Sequence, residues 1–323
     1  MGFSDRQVHT SATGAALCLR HEAAAGEAKG VVHILHGLAE HSARYEGFAG
    51  ELSAAGYHVY AHDHRGHGFT QAPGAPAGVF DAGGNGTTLV LDDVASVHDM
   101  IAAAHPGLPL ILFGHSMGGI IGMAYTLRSP ERLAAAAIWN ANLTTEPLFQ
   151  AGKLVIAWER FRLGSDVPSA LLPALTFGVW AKSVEDRRTD FDWLSHDPKI
   201  VDAYIADPLC GWPASVGMWG DLFKLVSAGT RVAAAPERAK ELPYNLIGGG
   251  RDPSAAFGKT VKGQADRMRK AGFADVTLTI YPEFRHETLN EVGREEAVTM
   301  LLGWMGEKAK TAASAAAAPA LRR

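Results

Sequence analysis

Cysteine is scarce: of 323 residues only Cys18 and Cys210 are of this type, far apart and in no Cys-x-x-Cys pair. Neither a disulfide framework nor a thiolate metal site is suggested, and both read as small buried apolar residues. Nor is there an excess of basic residues. The chain carries 30 Lys and Arg against 34 Asp and Glu, a formal net charge of -4 with a pI near 6.4. No positive field exists for a phosphate backbone or an anionic membrane surface, so nucleic acid is not expected as a partner. Also missing is any run of ~18 to 20 apolar residues, the length that spans a bilayer, and no stable membrane insertion is expected. The first residues, MGFSDRQVHTSATGAALCLRHE, put charges where a signal peptide needs an apolar stretch, which makes the cytoplasm the expected location. There is no internal repeat, which argues against a solenoid or propeller. Nothing in the sequence sets an oligomeric state.

What the chain has is 47% hydrophobic content, enough for a large core. Short apolar runs alternate with amphipathic stretches, the pattern of a sheet flanked by helices. QVHTSATG and ALCLRHEA read as an opening antiparallel pair. GVVHILHG, HVYAHDHRGHG, PLILFGH, LAAAAIWN, ELPYNLIGGG and VTLTIYP read as strands, and the stretches between them as helices. Val90, Val94, Val97 and Ile101, for example, recur at helical spacing. The expected class is α/β with a mostly parallel central sheet flanked by helices. Between about 142 and 226 the alternation stops, and the sequence turns to large aromatics, prolines and charges. This segment reads as an inserted helical cap, dividing the core into 1–141 and 227–305. Residues 306–323 form an Ala-rich tail, either a solvated helix or a disordered end. The cap holds Trp158, Trp180, Trp193, Trp212 and Trp219, five of the seven tryptophans. Such bulk either lines an apolar pocket or packs the insert itself.

Gly114-His115-Ser116-Met117-Gly118 has the form GxSxG and sits between the strand PLILF and a helix starting near Gly119. A serine nucleophile on a tight strand-to-helix turn needs small residues two before and two after it, and Gly114, Gly118 and Gly119 supply them. Its proton needs a base. Of the 14 histidines, His286 lies in a loop after the last strand, where the Ser, Asp/Glu, His chain order of such folds puts it. A carboxylate must fix the tautomer of that imidazole, and Asp252 follows the strand YNLIGGG at the carboxyl edge of the sheet. Asp266 falls inside a predicted helix and Asp275 at the starting end of a strand, so both are weaker rivals. Two backbone N–H groups must face the developing oxyanion. Met117, just after the serine, offers one, and Leu38, in the loop His36 to His41, is the candidate for the other.

HGLAEHSARY, the DHRGHG loop at 63–68, GHSMGG at 114–119 and RHETLNE at 285–291 together resemble the monoglyceride lipase and bacterial lysophospholipase group of α/β-hydrolases. The resemblance implies the α/β-hydrolase fold, the same three site positions, an oxyanion hole at Leu38 and Met117, and a helical cap over the site. The cap itself matches the eukaryotic lipases in no identifiable motif, so a monoglyceride substrate is not carried over.

His33, His36, His58, His62, His64 and His67 cluster in sequence, but no carboxylate or cysteine pattern near them resembles a zinc site. Asp63 and Arg65 are expected to pair and hold their loop. The expected function is cofactor-free, metal-free hydrolysis of carboxylic esters, whether small-molecule, lipid or polymeric, through an acyl-enzyme. A lysophospholipase, an acyltransferase or a peptidase would use the same machinery, and a catalytically silent hydrolase-fold binding protein is the rival of another class.

Overall fold

Eight runs rich in Val, Ile, Leu, Ala and Tyr form one sheet in the computed structural model, which describes residues 2–317. The strands are β1 (Gln7–Thr10), β2 (Ala16–Glu22), β3 (Gly30–Leu35), β4 (Tyr57–His62), β5 (Leu110–His115), β6 (Ala135–Trp139), β7 (Tyr244–Gly249) and β8 (Val276–Tyr281). They lie in the order β1-β2-β4-β3-β5-β6-β7-β8. β1 pairs antiparallel with β2 and β2 with β4, while every pairing from β4 to β8 is parallel. β3, β5, β6 and β7 are buried at every position, so the sheet needs helices on both faces. β1 alternates between half-buried and exposed, as an edge strand does.

On one face lie α1 (Glu46–Ala54), with Phe48 and Leu52, and the long closing helix, here α11 (Glu295–Ala317), with Leu301, Trp304 and Met305. On the other lie α2 (Gly86–Ala104), α3 (Met117–Arg128) and α10 (Lys259–Lys270). The spacing of Val90, Val94, Val97 and Ile101 puts all four on the buried side of α2. α11 is continuous through the first part of the Ala-rich tail, and residues 318–323 lie outside the described residues.

After β6 the chain leaves the sheet and builds α4 (Pro147–Leu163), α5 (Leu171–Leu175), α6 (Phe177–Lys182) and α7 (Pro198–Ala206). It returns through α8 (Val216–Gly229) and the short α9 (Glu237–Glu241) to β7. We call the helices between β6 and β7 the cap, and α8 packs on the core. Its Leu222, Leu225 and Val226 join the core cluster beside Ile120, Met123 and Ala124 of α3, so residue 226 falls within one continuous helix. Among the described residues no helix is long and apolar enough to cross a membrane.

The DHRGHG loop corrects one expectation: Asp63 and Arg65 do not pair with each other. Asp63 accepts from the Ser42 hydroxyl at 2.5 Å, the Ser42 N–H at 2.9 Å and the Phe69 N–H at 2.8 Å. Arg65 reaches the other way, its Nε 2.7 Å from Asp93 on α2. Both ions are buried: Asp63 ties its own loop to Ser42, and Arg65 ties it to α2. A Cβ on Gly68 would lie 2.1 Å from the Asp63 carboxylate, so glycine is required there.

Candidate active site

β5 ends in Gly114-His115, and α3 begins at Met117, which leaves Ser116 as the single hinge residue between them. Its backbone is left-handed, φ 55° and ψ -119°, a conformation that non-glycine residues seldom hold without support. Its N–H donates to the Trp139 carbonyl at 2.9 Å. The close crossing explains the glycines. A Cβ on Gly114 would meet the Gly118 carbonyl at 2.4 Å, and one on Gly118 would meet the Leu35 carbonyl at 2.0 Å.

The Ser116 hydroxyl so presented lies 2.9 Å from His286 Nε2, and His286 Nδ1 lies 2.9 Å from Asp252 Oδ2. The three residues follow β5, β7 and β8, all at the carboxyl edge of the parallel sheet. Asp252 is fully buried. Burial alone would raise its pKa, but the His286 charge and hydrogen bonds from His286, Ser254 and Asn140 outweigh it and hold the carboxyl below its usual range. Of the rivals, Asp275 pairs with Lys308 and Asp266 with Arg269, and neither reaches His286.

The structure brings Leu38 and Met117 to the wall of the same cavity as Ser116. Neither backbone N–H has a hydrogen-bond acceptor among the described residues. The loop that carries Leu38 is fixed from below. The Gly37 N–H and the Tyr45 hydroxyl both donate to Glu40 Oε1. Arg44 clamps Glu40 on one side and Glu287 on the other, the latter through two bonds of 2.7 and 2.8 Å. His115 Nε2 in turn donates to the His286 carbonyl at 3.1 Å. Burial opposes the charge on Glu40 and Glu287, but Arg44 between them keeps both carboxyls below their usual range. One half-buried cation thus ties the Leu38 loop to the His286 loop.

The cap grips both loops from above. Tyr204 and the Gly211 N–H donate to the Ala39 carbonyl at 3.0 and 2.9 Å, and Ala39 is itself left-handed with φ 54°. The Glu287 N–H donates to the Leu194 carbonyl at 2.7 Å. Between cap and core lies a cavity of about 480 Å³. It is lined beside Ser116 and His286 by Leu38, Ile120, Phe149, Phe177, Leu222, Phe223 and Val226. Trp180, Trp193, Trp212 and Trp219 also face it, whereas Trp158 stands 58% exposed outside. Trp193 serves both roles open to the cap aromatics, lying in the cavity wall and packing in a small cap core with Ala181, Leu194 and Tyr204.

The residues that sequence reasoning missed are Glu40, Arg44, Glu287, Asn140 and Ser254. The first three stand within HGLAEHSARY and RHETLNE, and a Glu four residues before an Arg was a legible sign of an ion pair. Asn140 reaches Asp252 across the sheet edge, where no local pattern marks it, whereas Ser254 donates to the Asp252 carboxylate two residues before it and also lies against His286.

A serine on a left-handed strand-to-helix turn, over a parallel sheet with a helical cap, defines the α/β-hydrolase class. The chain belongs to the α/β-hydrolase family described as serine aminopeptidase, S33, which matches residues 26–293, and it is monoglyceride lipase-like within that class. It is 30% identical to the monoacylglycerol lipase of Mycolicibacterium smegmatis over 86% of this chain and 88% of that one. With human monoglyceride lipase it shares 29% identity over 97% of this chain and 94% of the other. A lipase solved in an open form superposes with a TM-score of 0.79 at 26% identity, covering 96% of this chain and 99% of that one. A thermostable carboxyl esterase from Bacillus coagulans superposes with a TM-score of 0.81 over 96% of this chain and 99% of that one, and at 22% identity the likeness is one of fold. The protein is a carboxylic ester hydrolase.

Proposed function

We propose that the protein hydrolyses single-chain lipid esters of the monoacylglycerol type through Ser116, His286 and Asp252. The observation that carries this reading is the unbroken chain Asp252, His286, Ser116, each link 2.9 Å, opening into an apolar cavity. Ser116 Oγ attacks the ester carbonyl as His286 Nε2 takes its proton, and Asp252 stabilises the imidazolium through Nδ1–H. The carbonyl oxygen, now negative, meets the free N–H groups of Leu38 and Met117. His286 returns the proton to the leaving alcohol, which leaves the acyl group on Ser116. His286 then takes a proton from water as the water oxygen bonds to the acyl carbon, and gives that proton to Ser116 Oγ as the Ser116–acyl bond breaks and the acid departs.

The cavity supports the lipid part of the reading. Its size lies in the ~300 to 1,000 Å³ range of small-molecule sites, and its wall is mostly aromatic and aliphatic. Of its carboxylates, Glu40 and Glu287 are both engaged by Arg44, and Asp190 lies 3.5 Å from the Arg187 guanidinium, which speaks against capture of the free ammonium of a peptide. The relatives named as monoacylglycerol lipases share the whole core rather than one motif. A rate series across p-nitrophenyl esters of rising acyl length, then monoacylglycerols, lysophospholipids, polyesters and aminoacyl p-nitroanilides, tests the proposal. Medium or long-chain monoacylglycerol should lead. Faster turnover of the anilides, or of acetyl esters alone, would overturn it.

A further inference from the structure

At the edge of the sheet opposite Ser116, three histidines from separate elements converge. His21 lies near the end of β2, His58 near the start of β4, and His105 directly follows α2. Each offers a ring nitrogen, and these donor atoms lie within 4.8 Å of one another. The His58 and His105 rings stack at 4.1 Å, and His21 stacks on Tyr60 at 4.2 Å.

We propose that His21, His58 and His105 form a binding site for a borderline divalent transition ion such as Zn²⁺ or Ni²⁺. Three imidazoles and a water make a donor set that suits these ions and not Mg²⁺ or Ca²⁺, which seek oxygen. Nitrogen atoms around tetrahedral zinc, with bonds of ~2.0 to 2.1 Å, stand about 3.3 Å apart, so modest rotations of the side chains close the site. His21 Nε2 is shielded from water and has no hydrogen-bond partner among the described residues, a lone pair or N–H left without use. The Tyr60 hydroxyl lies 2.8 Å from His105 Nε2, as the partners of metal-bound histidines do: with Nε2–H bonded there, Nδ1 is free to bind the ion. His58 Nδ1 accepts the Ala24 N–H at 3.3 Å, the long end of the range, and exchanging that contact for a metal bond costs little.

The ion would clip β2, β4 and the end of α2 together, away from the catalytic loops, and so act on stability rather than on chemistry. Calorimetric titration of the whole protein with ZnCl₂, with thermal unfolding measured alongside, tests it. The wild type should bind one equivalent and unfold several degrees higher. His21→Ala/His105→Ala, and separately His105→Gln as the milder change, should weaken binding at least tenfold and lose the thermal shift. Absence of binding by the wild type would overturn the proposal, and so would unchanged stoichiometry and affinity in the folded variants, which would place the ion elsewhere.

Discussion

Lowering the pH from 7.5 to 5 should remove much of the folding free energy, because neutral histidines are buried in the sheet and in the elements packed against it. His62 is fully buried, its Nδ1 2.9 Å from His33, which in turn lies 2.9 Å from His98. Burial is the largest influence on each, and repulsion by neighbouring charges adds to it. The pKa of His62 falls from 6.5 to about 4, and those of His67 and His98 to about 3. In the unfolded chain these rings take up protons as the pH drops below ~6.5, while in the folded protein they do not. Their contribution is thus complete above the unfolded pKa and is lost as the pH falls towards the folded one. At pH 5 each ring of the three costs about 2 kcal/mol, about 6 kcal/mol together, with a slope near 4 kcal/mol per pH unit. His33, His36 and His64 are displaced in the same direction. His115 opposes them: burial lowers its pKa, but Glu40 and Glu287 raise it by more, so its contribution to stability is fully present below the unfolded pKa and is lost as the pH rises through the folded one. Against the ~5 to 15 kcal/mol by which domains are stable, the sum is large. Urea unfolding followed by tryptophan fluorescence at pH 7.5, 6.5, 5.5 and 5.0 measures it. A free energy that stayed constant across that series would refute the reasoning.

Three further outcomes are expected. Asp252→Asn should lower kcat by on the order of 10⁴ with the fold retained, as loss of the triad carboxylate does in serine proteases, whereas Asp275→Asn should leave kcat near wild type. Trp219→Ala enlarges the cavity wall and should move the acyl-length preference by about two carbons, roughly tenfold in relative kcat/KM at ~0.8 kcal/mol per methylene. Trp158→Ala, outside the cavity, should leave the profile unchanged; if both variants kept the parent's preference, the cap would not set substrate range. Prolonged EDTA treatment should leave the hydrolysis rate unaltered, since every step is assigned to side chains and backbone amides; a loss that Zn²⁺ restores would contradict that assignment.

The core was legible because its code is local. Continuous apolar runs such as PLILF and helical spacing such as Val90 to Ile101 each have one physical solution, and the antiparallel opening pair lies where the pattern put it. Chain order and strand ends also led to Ser116, His286 and Asp252, which the fold brings into contact. Hidden from the sequence were the partners made across distance. Asp63 and Arg65, two residues apart, point to Ser42 and Asp93 instead of each other. Ser254 lies 2.8 Å from His286 Nδ1 through a loop whose path no periodicity sets. The histidines divide in the same way: His62 joins a buried row with His33, while His58, four residues earlier on β4, meets His21 and His105 at the far edge.

The central claim is that Ser116 is the nucleophile of an ester hydrolase, and labelling with a fluorophosphonate probe followed by peptide mass spectrometry tests it most directly. One phosphonate should be found, on Ser116, with loss of esterase activity in proportion to labelling. Ser116→Ala should remain folded, take no label and hydrolyse no ester above background. Label on another serine, or a Ser116→Ala protein with near-wild-type turnover, would contradict the account.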